Sequence, residues 1–287
     1  MPGDQMTARQ LHFISGLPRS GSTLLAGILR QNPRLHAAMS SPVAALMGGA
    51  LEQMGAGSES YAFFDQARRK AICRALIDAY YEGNARPVIF DTNRQWTARL
   101  HQLVELVQGF KVICCVRNPA WVMDSFELIH HKNPFDYSRM HTPATRQTVY
   151  TRCESMMSAG GPVGAAWTAL KEAYYGEFSD RLLLVDYDLL TQHPRRTLEL
   201  IYGFIGEPWF AHDFDHVEYS ENEFDQNLGA PGLHDVKKKV AFQPRRSILP
   251  PDLFAKYQDM DFWQDQTGTR AHIIASKKTA SHISPAA

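Results

Sequence analysis

At 287 residues the chain sits near the upper size for one hydrophobic core, so a single domain with insertions accounts for it better than two. Hydrophobic residues make up 44% and charged residues 21%, the balance of a globular protein rather than a disordered or membrane-embedded one. Thirty Lys and Arg offset thirty Asp and Glu, so no global charge favours nucleic acid or an anionic bilayer, and any cationic function must be local.

The opening MPGDQMTARQLHF is polar and has no apolar stretch of the secretory type. No run reaches the roughly 18 apolar residues of a membrane span. Cys73, Cys114, Cys115 and Cys153 form no C-x-x-C pair. The expectation is reduced thiols in a cytoplasmic protein, with Cys114 and Cys115 on opposite faces of a strand.

The first element is an apolar run, LHFISG (11–16), followed by a glycine-rich turn and the helical pattern GSTLLAGILRQ. Gly16-Leu-Pro-Arg-Ser-Gly21-Ser22-Thr23 fits G-x-x-x-x-G-K-[ST] except that Ser22 replaces the lysine. Gly16 and Gly21 let the backbone bend so that successive N–H groups face one anion. A helix starting near Ser22 adds its positive end, and Ser20, Ser22 and Thr23 add hydroxyls. Arg19 places a permanent cation inside the turn. Such a loop suits an anionic group but lacks the lysine that grips the β- and γ-phosphates of ATP.

Next come His36, in a segment that closes the first helical pattern, and YAFFDQARRKAICRALIDAYYEG (61–83), read as one helix stopping at Gly83. A second strand, PVIFD (87–91), ends at Asp91, and DTNRQW places Arg94 just beyond it, before the helical TARLHQLVELV. Asp91 could accept a proton, hold Arg94, or cap the following helix. A third strand, KVICCVR (111–117), ends at Arg117, and Pro119 opens the helix PAWVMDSFELIHH, which carries Ser125. Residues 131–148 are polar and read as a mobile cap. A fourth strand, LLLVDY (182–187), ends at Tyr187 and leads into DLLTQHPRRTLELIYGFIG. Residues 214–247 form a long excursion with His234, Lys237–Lys239 and Arg245–Arg246, and the stretch 268–287 reads as a flexible tail after a domain spanning 1–267. Strands alternating with helices predict an α/β fold, a three-layer doubly wound parallel sheet with ligands beyond the strands' carboxyl ends.

SGLPRSGSTLL resembles the 5′-phosphosulfate loop of sulfotransferases that use 3′-phosphoadenosine 5′-phosphosulfate (PAPS), whose loop carries a basic residue at the position of Arg19. CCVRNPAWVMDSF is similar to the family's second signature, an arginine ending a strand and a serine eight residues later. In pattern the chain is nearest to tyrosylprotein sulfotransferases and their bacterial relatives. The resemblance implies a P-loop sulfotransferase fold and sulfuryl transfer from PAPS to a hydroxyl by in-line displacement, leaving 3′-phosphoadenosine 5′-phosphate (PAP). It implies that Pro18, Arg19, Ser20, Gly21, Ser22 and Thr23 hold the 5′-phosphosulfate, that Arg117 and Ser125 hold the 3′-phosphate, and that Tyr187 touches the nucleotide. Arg94 would be a second catalytic cation, while His234 and Lys238 in the excursion are further candidates for nucleotide contact.

One departure stands out. Where tyrosylprotein enzymes carry a catalytic glutamate pair, this chain has Met39 and Ser40. The general base must then come from elsewhere, with Asp91 first, His36 second and His234 third. The chemistry requires no metal. The acceptor is open between a carbohydrate, a lipid, a small phenol and a peptide tyrosine, and a homodimer is an open possibility. Two other readings remain: a P-loop kinase or NTPase with Asp91 on magnesium, and a non-catalytic nucleotide-binding protein.

Overall fold

Continuous apolar runs become strands covered on both faces. The computed structural model describes residues 9–135, 138–219, 222–236 and 238–275. Its six strands are β1 (Gln10–Gly16), β2 (Leu35–Ala37), β3 (Val88–Thr92), β4 (Val112–Val116), β5 (Leu182–Asp186) and β6 (His272–Ile274). They form one sheet in the order β2-β3-β1-β4-β5-β6, with every pairing parallel. β1 is central, pairing Phe13 with Asp91 on one side and Val112 on the other.

Successive strand residues serve different layers, as the pleat demands. Phe13, Ile89, Val112 and Leu184 join one core, whereas Ile14, Phe90, Ile113 and Val185 join the other. Cys114 and Cys115 divide the same way, and all four cysteines are buried and free. Both faces therefore need helical cover. α1 (Ser22–Leu29) lies on the second face, burying Leu25 and Ile28. α2 (Val43–Gln53), α3 (Gln66–Tyr80) and α4 (Leu100–Leu106) cover the first. α5 (Pro119–Lys132) and α6 (Val149–Met157) build a third cluster beside the sheet. α7 (Gly164–Tyr175) returns to the first face. α8 (Tyr187–Gln192) and α9 (Pro194–Ile205) join the second, α10 (Asn222–Leu228) lies in the excursion, and α11 (Pro251–Gln258) packs into the third cluster.

The α/β class and the four long strands hold as expected from the sequence. Several boundaries do not. The run 61–83 is a 3-10 turn, Glu59–Phe63, and then α3, because the Asp65 carboxylate accepts from the Arg68 N–H (2.7 Å) and caps a fresh helix. The helix after β3 starts late, behind a 3-10 turn at Arg94–Arg99. The helical run after β5 breaks at His193, and Pro194 starts α9. β2 and β6 were not anticipated. β6 corrects the reading of residues 268–287 as a flexible tail: His272–Ile274 pairs with Leu183–Val185, and Ile274 is buried against the second core. Residues 276–287 lie outside the described residues.

Candidate active site

The loop after β1 leaves the sheet under close steric control. At Gly16 (φ 103°) a Cβ would lie 2.1 Å from the Cys115 carbonyl oxygen, so only glycine fits. At Gly21 (φ 91°) it would meet the Tyr187 ring at 2.8 Å. Arg19, at φ 59°, is the one non-glycine residue with positive φ among the described residues. That conformation costs an L-residue about 1–2 kcal/mol and persists only where its surroundings enforce it. The Ser20 hydroxyl is buried and donates to the Pro18 carbonyl (3.3 Å), which gives it a structural task inside the turn. Pro18 is buried beside it, while Ser22 and Thr23 open α1 and line a pocket.

This pocket has a volume of about 600 Å³. Ser15, Thr92, Arg117 and Tyr187, at the carboxyl ends of β1, β3, β4 and β5, line it. It is the edge at which parallel sheets bind ligands. The sequence-derived candidates Arg19, Arg94, Arg117, Ser125, Tyr187 and His234 meet here. The Arg19 Nε donates to Ser125 Oγ (3.1 Å), tying the loop to α5. The Arg117 guanidinium lies over the Tyr187 ring, 4.3 Å from its centroid, and its Nε is buried without a hydrogen-bond partner. Arg94 is anchored through its carbonyl, which accepts from Ser15 Oγ (3.1 Å).

Among the described residues, none of these three arginines forms an ion pair. Burial, then the neighbouring Arg117, pulls the Arg19 pKa down to about 10, and Arg94 adds to the effect. Burial also lowers Arg117 and Arg94, although Arg94 keeps open surface inside the pocket where it is hemmed in by protein. Asp225 offsets part of this field at Arg19, and Asp188 and Asp124 do so at Arg117, but none pairs with these arginines, and like charges gathered in this way make a site for an anion. Arg245, which also lines the pocket, differs: it pairs with buried Asp124 and stacks on Trp121 at 5.0 Å.

Two candidate bases lie elsewhere. Asp91 is fully buried and accepts from Ser41 Oγ (2.6 and 2.7 Å), Tyr81 OH (2.7 Å) and Trp96 Nε1 (2.7 Å). Strand alternation puts it on the face of Ile89, beneath α2 and α3, so it neither lines the pocket nor holds Arg94. Burial pushes its pKa up, while those three hydrogen bonds oppose the shift. His36 sits on the edge strand β2 with its ring 5.6 Å from that of Tyr81, also outside the pocket lining. Burial, Arg30 and Arg86 lower its pKa.

The third candidate is in place. His234 lines the pocket, its backbone N–H donates to Asp225 Oδ2 (2.8 Å), and its Nδ1 lies 2.5 Å from Asp225 Oδ1. Asp225 is 1% exposed, and its charge also acts on Arg19. Burial lowers the His234 pKa most; Asp225 opposes this, and the fields of Arg19 and Arg94 add to it. Asp225 was not picked out from the sequence, since nothing periodic links it to His234. Lys238 is exposed and outside the pocket lining, and its carbonyl accepts from the Val217 N–H (2.7 Å). Lys239 lines the rim and pairs with Asp215 at 2.8 Å, and Lys237 lies outside the described residues.

Comparison with known proteins bears on the family and the fold. No curated protein matches the chain. Among solved structures, the sulfotransferase domain from the curacin biosynthetic pathway is similar at 17% identity, over 88% of this chain and 92% of that one, with a TM-score of 0.52. A sulfotransferase from Alicyclobacillus acidocaldarius matches at 13% identity over 77% and 90%, with a TM-score of 0.49. At these identities the likeness concerns the fold, and the first match carries it. The family model described as "Sulfotransferase family" matches residues 12–211, more than half of the chain. That span takes in the loop, Arg117, Ser125 and Tyr187, and the chain belongs to the sulfotransferase family.

Proposed function

We propose that the protein transfers the sulfuryl group of PAPS to an acceptor hydroxyl. The observation that carries this reading is the trio Arg19, Arg94 and Arg117, held around a lysine-free loop with no ion pair to any of them among the described residues. The orphaned, buried Nε of Arg117 fits a phosphate oxygen, and the stacked Tyr187 offers a face beside it. PAPS supplies an activated sulfur. The acceptor oxygen forms a bond to that sulfur, the bond from sulfur to the 5′-phosphate oxygen breaks, and its electron pair leaves with PAP.

In such a loose transition state, charge grows on the leaving phosphate oxygen. Arg19, at the turn, is the donor preorganised for it, and Arg94 adds a second positive charge. The acceptor's proton passes to His234. Asp225 at Nδ1 orients the ring and stabilises the imidazolium that results. Ser125, engaged by Arg19, keeps the loop registered on α5 and belongs with Arg117 in the 3′-phosphate reading. A kinase reading would need Asp91 on magnesium, yet both its oxygens already accept hydrogen bonds.

Titration calorimetry tests the donor. The expectation is tight binding of PAP and weak binding of ATP. Arg117→Ala should weaken PAP by about 10- to 150-fold, the loss of roughly 1.5–3 kcal/mol of charge-assisted bonding. It should matter far less for the analogue lacking the 3′-phosphate. Preference for ATP, or equal losses for both nucleotides, would reject the assignment.

A further inference from the structure

The pocket holds more than an anion site, and part of its remaining wall is apolar. Met39, Met140, Leu228, Leu233, Val236 and Phe242 all line it. They come from the segment after β2, from the turns after α5, and from the excursion that carries His234. Phe242 is 38% exposed, an aromatic ring left open to whatever enters. Two methionines give the wall adaptable, polarisable surface rather than a rigid slot. Among lining residues Asp235 is the one carboxylate, against Arg19, Arg94, Arg117, Arg245 and Lys239.

A sugar makes a different demand, since each buried hydroxyl of a glycan needs a hydrogen-bond partner. Ser40, Thr92, Asn93 and Gln243 are neutral polar side chains that line the pocket beside the loop, and Asn93 already uses one N–H toward the Ser41 carbonyl (2.9 Å) and one lone pair toward the Gln95 N–H (3.0 Å). The Met39 side stands where the tyrosylprotein pattern has carboxylate, and its backbone N–H is already taken up by Tyr219 OH.

Resting on the sulfotransferase reading above, we infer that the acceptor is an uncharged alcohol with an apolar body, seated against the wall of Met39, Met140, Leu228, Leu233, Val236 and Phe242 with its hydroxyl toward His234. The alcohol oxygen bonds to the sulfuryl sulfur, PAP leaves with the electron pair of the cleaved S–O bond, His234 takes the proton, and the product is an alkyl sulfate ester. Aliphatic hydroxyls are weakly acidic, so this acceptor is one that requires an oriented imidazole.

The full chain is assayed with labelled PAPS against straight-chain alcohols of increasing length, a disaccharide and a tyrosine peptide, with PAP binding measured in parallel. Each methylene that reaches the wall should raise kcat/KM about fourfold until the space is filled. Phe242→Ser should lower kcat/KM for the longest productive alcohol by about 10- to 200-fold while the PAP affinity stays unchanged, which also reports that the variant is folded. A flat response along the series, or faster transfer to the disaccharide or the peptide, overturns the inference and leaves the donor reading standing. Failure of PAP to bind overturns the donor reading and this inference together.

Discussion

The two sides of the pocket are built on opposite plans. The loop side is closely fitted backbone: Gly16 and Gly21, where a Cβ would collide with the Cys115 carbonyl and the Tyr187 ring, and Arg19, strained at positive φ, all fastened to the central strand of a parallel sheet. The other side is irregular chain laid over the third helical cluster, with Ala230 and Leu233 buried there and α10 as its one helix among the described residues. Conformational strain concentrates where charge must be placed to within fractions of an ångström. Apolar contact is tolerant of position, so it is left to loops. The Asp225–His234 pair is the exception, an oriented dyad on the irregular side, and it is where the comparison is most exposed to test.

The largest effect is expected there. His234→Asn should lower the single-turnover rate by about 10²–10⁴-fold with PAP affinity preserved. In the native protein the rate should be level above about pH 6.5 and fall in acid, at a pH below the usual histidine value because burial holds the His234 pKa down. A variant with full single-turnover rate would make the irregular side a binding surface only. Next is Arg19→Gly, which removes the cation while suiting the φ of 59°. It should cost about 10²–10³ in kcat, more than it costs in nucleotide affinity. Normal turnover with weakened binding would reduce the strained loop to a handle.

Smaller effects sharpen the contrast from outside the pocket. Asp91→Asn should leave kcat unchanged and lower the unfolding free energy by about 1–3 kcal/mol, since three buried donors lose a matched acceptor. A slow but fully stable variant would reinstate Asp91 in the chemistry. The smallest effect per step is acid destabilisation. Burial, with Lys111 nearby, lowers the pKa of His12 to about 4, and burial does the same for His212. Between about pH 6.5 and 4 the unfolded chain binds protons that the folded one refuses. Stability therefore falls with falling pH, by about 1.4 kcal/mol per unit for fully buried His12. His12→Gln should flatten that slope in urea-unfolding titrations.

Four strands and the phosphate loop were legible because their signals are local: unbroken apolar runs, then glycines at fixed offsets. Pro119 at the first turn of α5 was legible for the same reason. β2 and β6 are three residues each, and LHA and HII are too short to register a period. Asp91 misled by its position. A strand end three residues before an arginine suggests a working carboxylate, but Ser41, Tyr81 and Trp96 converge on it from three separate segments, and no pattern along the chain announces that. His36 failed in the same way, being placed by an edge strand that the sequence hid. Asp225 and His234 meet because an irregular segment folds back on itself, and that geometry has no periodic trace.

The legs of the excursion are joined at their base. The Val217 N–H donates to the Lys238 carbonyl (2.7 Å), the Val240 N–H donates to the Phe214 carbonyl (2.8 Å), and Lys239 pairs with Asp215 across the same gap. Chain between two fixed points can lengthen cheaply, since doubling a flexible loop adds only about 0.6 kcal/mol of closure cost. Descendants of this gene could therefore rewrite the wall around the acceptor by insertion, deletion or exchange between these staples. The sheet and its loop would keep the proposed nucleotide site unchanged, and a library confined to this interval is the economical place to evolve a new product.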